Sequence, residues 1–287
     1  MPLLDEHEKK RTGLKGQNRI AEFRRIVGEL TTQLSKEKKV VGIVLFGGVV
    51  RGFVDKFSDL DVTVFLDKKD DNLCRSIRNL SSRMTKPHSV DLDLMIHYLG
   101  DLRKWKMNEG ALRWEYANAK IILDTTGEIK EILEEKLRPP KDFWIRRIVA
   151  YSEYIRWYCC PSEEGTGTIA ESWIERGDIA SAHYCLDYSV ELLLRLLFAM
   201  NQQFVPAPKW RLFYSSSLKW TPKDYDRLIQ EAMITKSLSL REFNRRLRAI
   251  RRIWHQIATK IQEETGLTSK TISKYYVERI LQQKIGV

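Results

Sequence analysis

Residues 41–66, VGIVLFGGVVRGFVDKFSDLDVTVFL, are the stretch that decides the fold. The stretch opens with an apolar run, which predicts a buried strand. The paired glycines that follow, Gly47 and Gly48, predict a turn at which a phosphate can approach the backbone, because glycine has no side chain to obstruct it. Two acidic residues, Asp59 and Asp61, then appear in a second apolar stretch. The segment therefore predicts two strands, with a glycine turn after the first.

The two acidic residues are predicted to lie on one face of the second strand. Apolar and polar residues alternate from Asp59 to Val64, which is the pattern of a strand with one apolar face. Asp59 and Asp61 then point the same way. Two carboxylates on one face repel each other unless a cation lies between them, and hard oxygen ligands suit magnesium. The pair predicts a Mg²⁺ site.

Two glycines, about a dozen residues and then an apolar-Asp-apolar-Asp-apolar run resemble the signature of the nucleotidyltransferase superfamily. This superfamily includes DNA polymerase beta, poly(A) polymerases and antibiotic nucleotidyltransferases. The resemblance covers residues 38–98, where Arg51 and Ser58 also contribute to it. Many members have Gly-Ser in place of Gly47-Gly48, and that serine hydroxyl commonly touches the nucleotide phosphates. Backbone N–H groups at the turn can still bind phosphate, so the departure concerns affinity more than chemistry.

The resemblance also implies a third carboxylate from a later strand. In residues 89–96, SVDLDLMI, Asp91 and Asp93 share one face of such a strand. We favour Asp93 and keep Asp91 as the alternative. The implied reaction transfers a nucleoside monophosphate from a nucleoside triphosphate, expected to be ATP, to an acceptor hydroxyl, and pyrophosphate leaves. Asp59 and Asp61 would hold one or two Mg²⁺ ions on the triphosphate, and Asp93 would hold the ion beside the acceptor.

Further nucleotide contacts are expected from both halves of the chain. Arg51 and Ser58 lie near the glycine turn, and arginine forks and short hydroxyls both bind phosphate oxygens. An appended helical domain in this superfamily often closes over the nucleotide and lends a lysine to the triphosphate. Lys209, predicted in a loop beside Trp210, is the candidate for that lysine. The alternative is a surface lysine next to a packed aromatic ring.

Length and proline content predict two domains. The chain has 287 residues, which is comfortable for two domains. Arg138 is followed by Pro139 and Pro140, and a proline pair resists helix continuation, so we expect a hinge there. The predicted domains are a nucleotidyltransferase catalytic domain at 1–138 and a helical domain at 139–287. The fold class is α+β, a mixed sheet with helices followed by an all-α bundle.

Hydrophobic spacing predicts the individual elements. Strands are expected at about 40–46, 60–65, 89–96 and 120–123, and helices at about 20–34, 73–84, 110–119, 128–137, 143–158, 178–200 and 240–261. Thr221-Pro222 predicts the start of one more helix, because a capping residue followed by proline is common at helix N-termini.

The chain is strongly basic, with a net charge of +11. A charge of this size attracts anions, so nucleic acid and ATP are both expected partners, whereas cationic aminoglycosides would be repelled. The helix near 240–261 carries six arginines, namely Arg241, Arg245, Arg246, Arg248, Arg251 and Arg252. They form either a nucleic-acid contact or a solvated face paired with acidic neighbours. We rank RNA first as the acceptor, a protein hydroxyl second and a small molecule third.

A different class of function also fits the sequence. The same fold can serve as a non-catalytic nucleotide-binding regulator or an antitoxin-like interaction module. A degenerate site is expected to have lost at least one carboxylate, and here all three positions are filled, which favours an enzyme. The alternative that Asp59 and Asp61 belong to an edge strand with a solvated face is weaker, because the motif includes the glycines as well.

The compartment and the cysteines are also predictable. No segment approaches the roughly twenty apolar residues that cross a bilayer, and the start, MPLLDEHEKKR, lacks the apolar core of a secretory signal. We therefore expect a cytoplasmic protein without a membrane partner. The four cysteines have no spacing typical of a zinc site and are predicted to be buried thiols. They are Cys74, Cys159, Cys160 and Cys185.

Overall fold

The computed structural model describes residues 16–106, 110–161 and 167–281. The described residues up to Pro139 form one compact unit, and those from Pro140 form a second. The boundary lies between the two prolines at which the sequence predicts a hinge. The assignment of a catalytic role to 1–138 stays a prediction.

The first unit is a mixed sheet with helices. Its elements are α1 (Ile20–Leu34), β1 (Val40–Leu45), α2 (Gly47–Arg51), β2 (Leu60–Leu66), α3 (Asp71–Thr85), β3 (Leu92–Tyr98), α4 (Leu99–Lys104), α5 (Ala111–Ala117), β4 (Lys120–Asp124) and α6 (Glu128–Leu137). The strand order is β3-β2-β1-β4, with β1 antiparallel to both β2 and β4 and β2 parallel to β3. A parallel pair needs a crossover connection, which α3 supplies.

Every residue of β1 is buried, because helices cover both faces of the sheet. Ile43 packs into a core that includes the apolar side of α1, with Phe23 and Leu30. Its neighbour Val44 points to the opposite face, into a second core that includes Ile129 of α6. A strand covered on both sides reads as a continuous apolar run, and this explains the sequence of β1.

The second unit is helical. Its elements are α7 (Phe143–Tyr158), α8 (Ile169–Glu175), α9 (Ile179–Met200), α10 (Pro208–Ser215), α11 (Tyr225–Met233), α12 (Leu240–Thr265) and α13 (Ser269–Tyr275), followed by a π-helix (Tyr276–Leu281). The predicted α+β class, a mixed sheet with helices followed by a helical part, is confirmed. None of the helices in the described ranges combines the length and apolarity needed to cross a bilayer. The four cysteines are buried free thiols, as predicted.

The prediction that Thr221-Pro222 opens a helix is wrong. The next helix, α11, begins only at Tyr225. The N–H of Tyr225 donates to the Pro222 carbonyl over 3.2 Å, and Asp224 has a left-handed backbone with φ of 60°. A non-glycine residue at positive φ interrupts a right-handed helix. The chain therefore makes a turn before the helix can start.

Candidate active site

Gly47 and Gly48 are the first residues of α2, directly after β1, so the predicted glycine turn is in fact the start of a short helix. Gly47 has a φ of +65°, and a Cβ atom there would overlap the Oδ2 atom of Asp61. A Cβ on Gly48 would lie 2.5 Å from the carbonyl oxygen of Phe53. Both positions are therefore held as glycine by close neighbours.

Parallel pairing brings the carboxylates of β2 and β3 together. Asp61 is the register partner of Asp93, and paired residues of neighbouring strands point to the same side of a sheet about 4.8 Å apart. Asp59 lies one residue before β2, and Asp91 lies one residue before β3. The N–H of Leu60 donates to the Asp91 carbonyl oxygen over 2.8 Å, which fixes the register at the start of the pair.

Burial and negative charge raise the pKa of Asp61 from its ordinary value of 3.8 to about 6. Burial is the larger cause, because it removes the charged carboxylate from water. The carboxylates that raise it further are those of Asp59, Glu115 and Asp93, while the charge of Arg51 lowers it. Asp93 acts on Asp61, whereas Asp91 is not among these causes. The assignment of Asp93 as the third carboxylate stays a prediction.

Glu115 on α5 is the residue that sequence reasoning missed. Its Oε2 atom accepts a hydrogen bond from Nη1 of Arg51 over 3.1 Å. Arg51 is only 7% exposed, and its guanidinium lies 5.3 Å from the centre of the Trp114 ring. Arg51 was predicted as a phosphate contact, and the structure pairs it with Glu115. No sequence motif identifies Glu115, because its role depends on its contact with Arg51, which is 64 residues earlier in the chain.

Ser58 shapes the loop that leads into Asp59. Its hydroxyl donates to Oδ1 of Asp55 over 3.1 Å and accepts from the Asp55 N–H over 3.0 Å. The backbone N–H of Ser58 donates to the Asp55 carbonyl over 3.2 Å as well. These bonds hold a compact turn just before the carboxylates. The predicted phosphate contact of Ser58 stays a prediction.

The nucleotidyltransferase domain family has a model that matches residues 27–158 of this chain. This part of the chain is a nucleotidyltransferase domain. The match starts in α1 and extends to the end of α7. The sequence resemblance to this superfamily is therefore confirmed, and such a domain generally supports transfer of a nucleoside monophosphate.

One solved structure to which the chain is similar is a nucleotidyltransferase-like protein from Exiguobacterium sibiricum 255-15. The two are 11% identical, with a TM-score of 0.41, and the alignment covers 89% of this chain and 80% of that one. No curated protein matches the chain.

The nucleotidyltransferase domain offers carboxylates that suit a hard cation. Asp61 carries a raised pKa partly because other carboxylates surround it, and a divalent cation there would relieve that repulsion. Gly47 makes room for the Asp61 carboxylate itself, because the Oδ2 atom of Asp61 occupies the space that a Cβ would need. Within the described ranges, no three His, Cys, Asp or Glu side chains are close enough to hold a metal ion as they stand. The chemistry of the donors, carboxylate oxygens, fits Mg²⁺.

Lys209 lies outside the nucleotidyltransferase domain match, in the second unit. It is the second residue of α10, so the loop predicted for it is wrong. Pro208 before it occupies the first helical position, where the missing N–H of proline has no cost. The side chain is exposed, and its Nζ lies 6.0 Å from the Trp210 ring centre. Its proposed contact with the triphosphate stays a prediction.

Two arginines on α12 are engaged by acidic side chains. Arg246 is fully buried, pairs with Asp187 and donates from Nε to the Ala232 carbonyl over 2.7 Å. Arg245 forms an ion pair with Glu242 over 2.6 Å. These contacts tie α12 to α9 and to α11. Both residues have acidic partners, as the second interpretation expects, but Arg246 is buried rather than solvated.

The other four arginines of the group are one ion-paired residue and three exposed residues. Arg251 pairs with Glu171 over 2.8 Å. The arginines of this group that are exposed are Arg241, Arg248 and Arg252. A nucleic-acid contact stays a prediction for those three residues.

Proposed function

We propose that this chain is a Mg²⁺-dependent nucleotidyltransferase that transfers a nucleoside monophosphate, AMP from ATP, to an acceptor hydroxyl, with pyrophosphate as the leaving group. The observation that carries the proposal is the register pairing of Asp61 with Asp93. Asp59 and Gly47 lie around the same carboxylate.

Asp59, Asp61 and Asp93 are the residues that would hold the metal. When bound, one or two Mg²⁺ ions supply charge that stabilises the attacking and leaving oxygens of a phosphoryl displacement. Gly47 allows the Asp61 carboxylate to pack directly against the start of α2. Asp93, which is exposed on strand β3, is the candidate for accepting the proton of the acceptor hydroxyl.

Most of the proposed nucleotide contacts belong to the first unit, which also carries the Asp61 carboxylate. Arg51 carries a positive charge that acts on Asp61, and Glu115 orients its guanidinium. A fixed guanidinium beside a phosphate costs less to organise than a free one. Gly48, Ser58 and Lys209 complete the proposed nucleotide-binding set.

The experiment is a transfer assay with ATP labelled at the α-phosphate, together with measurement of pyrophosphate. We expect Asp61→Asn and Asp93→Asn to abolish transfer. Asp91→Asn is the matched control, since Asp91 is an exposed carboxylate one residue before the same strand. Full activity in either test variant would refute the assignment of the metal ligands.

The same assay separates the enzyme from a regulator. Binding of Mg-ATP without release of pyrophosphate, with RNA, protein or small-molecule acceptors, would identify a non-catalytic nucleotide-binding protein instead. Release of pyrophosphate that depends on Asp61 would exclude that alternative.

RNA is the acceptor we rank first, ahead of a protein hydroxyl and a small molecule, because the chain carries a net charge of +11. Replacing the exposed Arg241, Arg248 and Arg252 by Gln should weaken RNA binding. The slope of log affinity against log salt should become shallower by about 0.7 for each phosphate that these arginines neutralise. An unchanged salt slope would exclude α12 as the RNA contact. We place the protein in the cytoplasm, since its free buried thiols fit a reducing compartment.

A further inference from the structure

A cavity lies in the first unit, on the same sheet face as the carboxylates. Its volume is about 280 Å³. The residues that line it are Phe65, His97, Asp101, Leu102, Lys104 and Trp105. Nothing in the proposed transfer reaction uses this cavity.

The position of the cavity follows from strand periodicity. Side chains two residues apart share one face of a strand, so Phe65 is on the face of Asp61, and His97 is on the face of Asp93. Phe65 and His97 are also register partners across β2 and β3. Four residues at about 3.3 Å each place the cavity about 13 Å along the strands from the carboxylates. The cavity and the carboxylates are thus separate places on one surface.

Aromatic rings form the walls of the cavity. The ring centres of Phe65 and His97 are 6.1 Å apart, and those of His97 and Trp105 are 6.3 Å apart with an angle of 26° between the planes. Burial lowers the pKa of His97 below its ordinary value of 6.5, which favours the neutral imidazole. A neutral imidazole and an indole that face each other nearly in parallel offer flat, uncharged surfaces.

The Trp105 wall is held by hydrogen bonds to its backbone. Lys136 donates from Nζ to the carbonyl oxygens of Arg103 and Trp105, each over 2.9 Å. The N–H of Trp105 donates to the Asp101 carbonyl over 2.9 Å. The indole also packs edge-on against Tyr116, with ring centres 5.2 Å apart. The ring is therefore positioned before any ligand arrives.

The rim of the cavity adds polar groups that can form hydrogen bonds with the edge of a flat ligand. Asp101 and Lys104 are both exposed residues of α4. The carboxylate can accept hydrogen bonds from an exocyclic amine, and the ammonium can donate to a ring carbonyl or nitrogen. A volume of about 280 Å³ is at the small end for ligand sites. It suits one heterocyclic ring system better than a larger molecule.

We propose that this cavity binds a nucleobase, from a free nucleotide or from an RNA strand. Flat aromatic walls bind bases by stacking, and the acidic and basic groups at the rim complement the donors and acceptors of a base edge. The proposal requires no metal and no transfer reaction, so it stands apart from the proposed function.

The test is calorimetric titration of the full chain with adenosine, guanosine, cytidine and uridine in the presence of EDTA. At least one nucleoside should bind, and Trp105→Ala should weaken that binding tenfold or more. Trp157→Ala is the control, because Trp157 is an exposed tryptophan of the second unit. Asp101→Asn, a change at an exposed rim position, should alter the preference among the four nucleosides.

Two further arms make the result decisive. Asp61→Asn should bind the nucleoside as the unmodified chain does, which separates this site from the proposed metal ligands. A short single-stranded RNA that also loses affinity in Trp105→Ala would identify a base of a strand as the ligand, and an RNA that does not would identify a free nucleotide. Absence of nucleoside binding at millimolar concentration, or equal binding by Trp105→Ala, would overturn the proposal.

Discussion

Replacing Asp61 by Asn should stabilise the metal-free protein. The folded protein raises the pKa of Asp61 from 3.8 to about 6, which means that the charged carboxylate is less favourable in the folded state than in the unfolded chain. At about 1.4 kcal/mol per pH unit, the full cost is about 3 kcal/mol. Asp61 is only partly buried, so solvent screening reduces the expected gain to about 1–2 kcal/mol.

The pH dependence gives the sign of the effect. Below pH 3.8 the carboxyl is protonated in both states, and the unmodified chain and Asp61→Asn should be equally stable. Between pH 3.8 and about 6 the folded state binds more protons than the unfolded one, so the unmodified chain loses stability as the pH rises. Above about pH 6 the difference in stability between the two proteins reaches its full size, and Asp61→Asn should have the higher free energy of unfolding.

The assay is thermal or denaturant unfolding in EDTA at pH 7.5 and at pH 3.5. We expect the melting temperature of the first unit to rise by about 3–6 °C in Asp61→Asn at the higher pH. Asp91→Asn is the control and should change little, because Asp91 is exposed. A neutral or destabilising effect of Asp61→Asn at pH 7.5 would refute the assigned cost of burial and repulsion.

Magnesium should reverse the order of stability of the unmodified chain and Asp61→Asn. A ligand that binds only the folded state stabilises it by mass action, so Mg²⁺ should raise the melting temperature of the unmodified chain and of Asp91→Asn. Asp61→Asn lacks a proposed ligand and should respond less. Equal responses in all three proteins would remove Asp61 from the metal site.

Three further predictions concern stability and are measured by chemical denaturation or, for the third, by thermal unfolding. Gly48→Ser should destabilise the first unit by about 1–3 kcal/mol, because the new side chain would crowd the Phe53 carbonyl; an unchanged free energy of unfolding would show that this contact relaxes freely. Gly28→Ala in the middle of α1 meets no atom within 4 Å and should stabilise by about 0.5–1 kcal/mol, through helix propensity; a decrease in stability would contradict the open space there. Glu242→Gln should lower the melting temperature at pH 7, because the hydrogen bond from Arg245 holds the pKa of Glu242 at about 2, below its ordinary value of 4.5. This difference should disappear as the pH falls from 4.5 towards 2, and a difference that persists at pH 2 would refute its electrostatic origin.

Local pattern was enough to predict most of the elements. The strand β1, the helix α7 and the alternation around Asp61 all follow from the spacing of apolar residues along a short stretch, and spacing is a property of neighbours in the chain. The same pattern did not mark the start of α11, because a left-handed Asp224 leaves no clear signal in the sequence.

Pairing across the fold decided which side chains lie next to Asp61 and Arg51. The choice of Asp93 over Asp91 depends on which residue of β3 lies in register with Asp61. The importance of Glu115 depends on Arg51, which is 64 residues earlier in the chain. Neither relation has a local pattern, because it arises only when strands and helices pack together.

By itself, the sequence determined the order of the strands and helices, the α+β class and the pair of acidic residues beside the glycines, since each of these is written in residues that are near neighbours. The tertiary structure alone decided which charged side chains are buried in ion pairs and which are exposed to solvent. Arg246 and Arg248 look alike in the sequence, yet Arg246 is fully buried against Asp187 and Arg248 is exposed. The physical reason is that burial and ion pairing are properties of the packed chain, whereas charge and spacing belong to the residues.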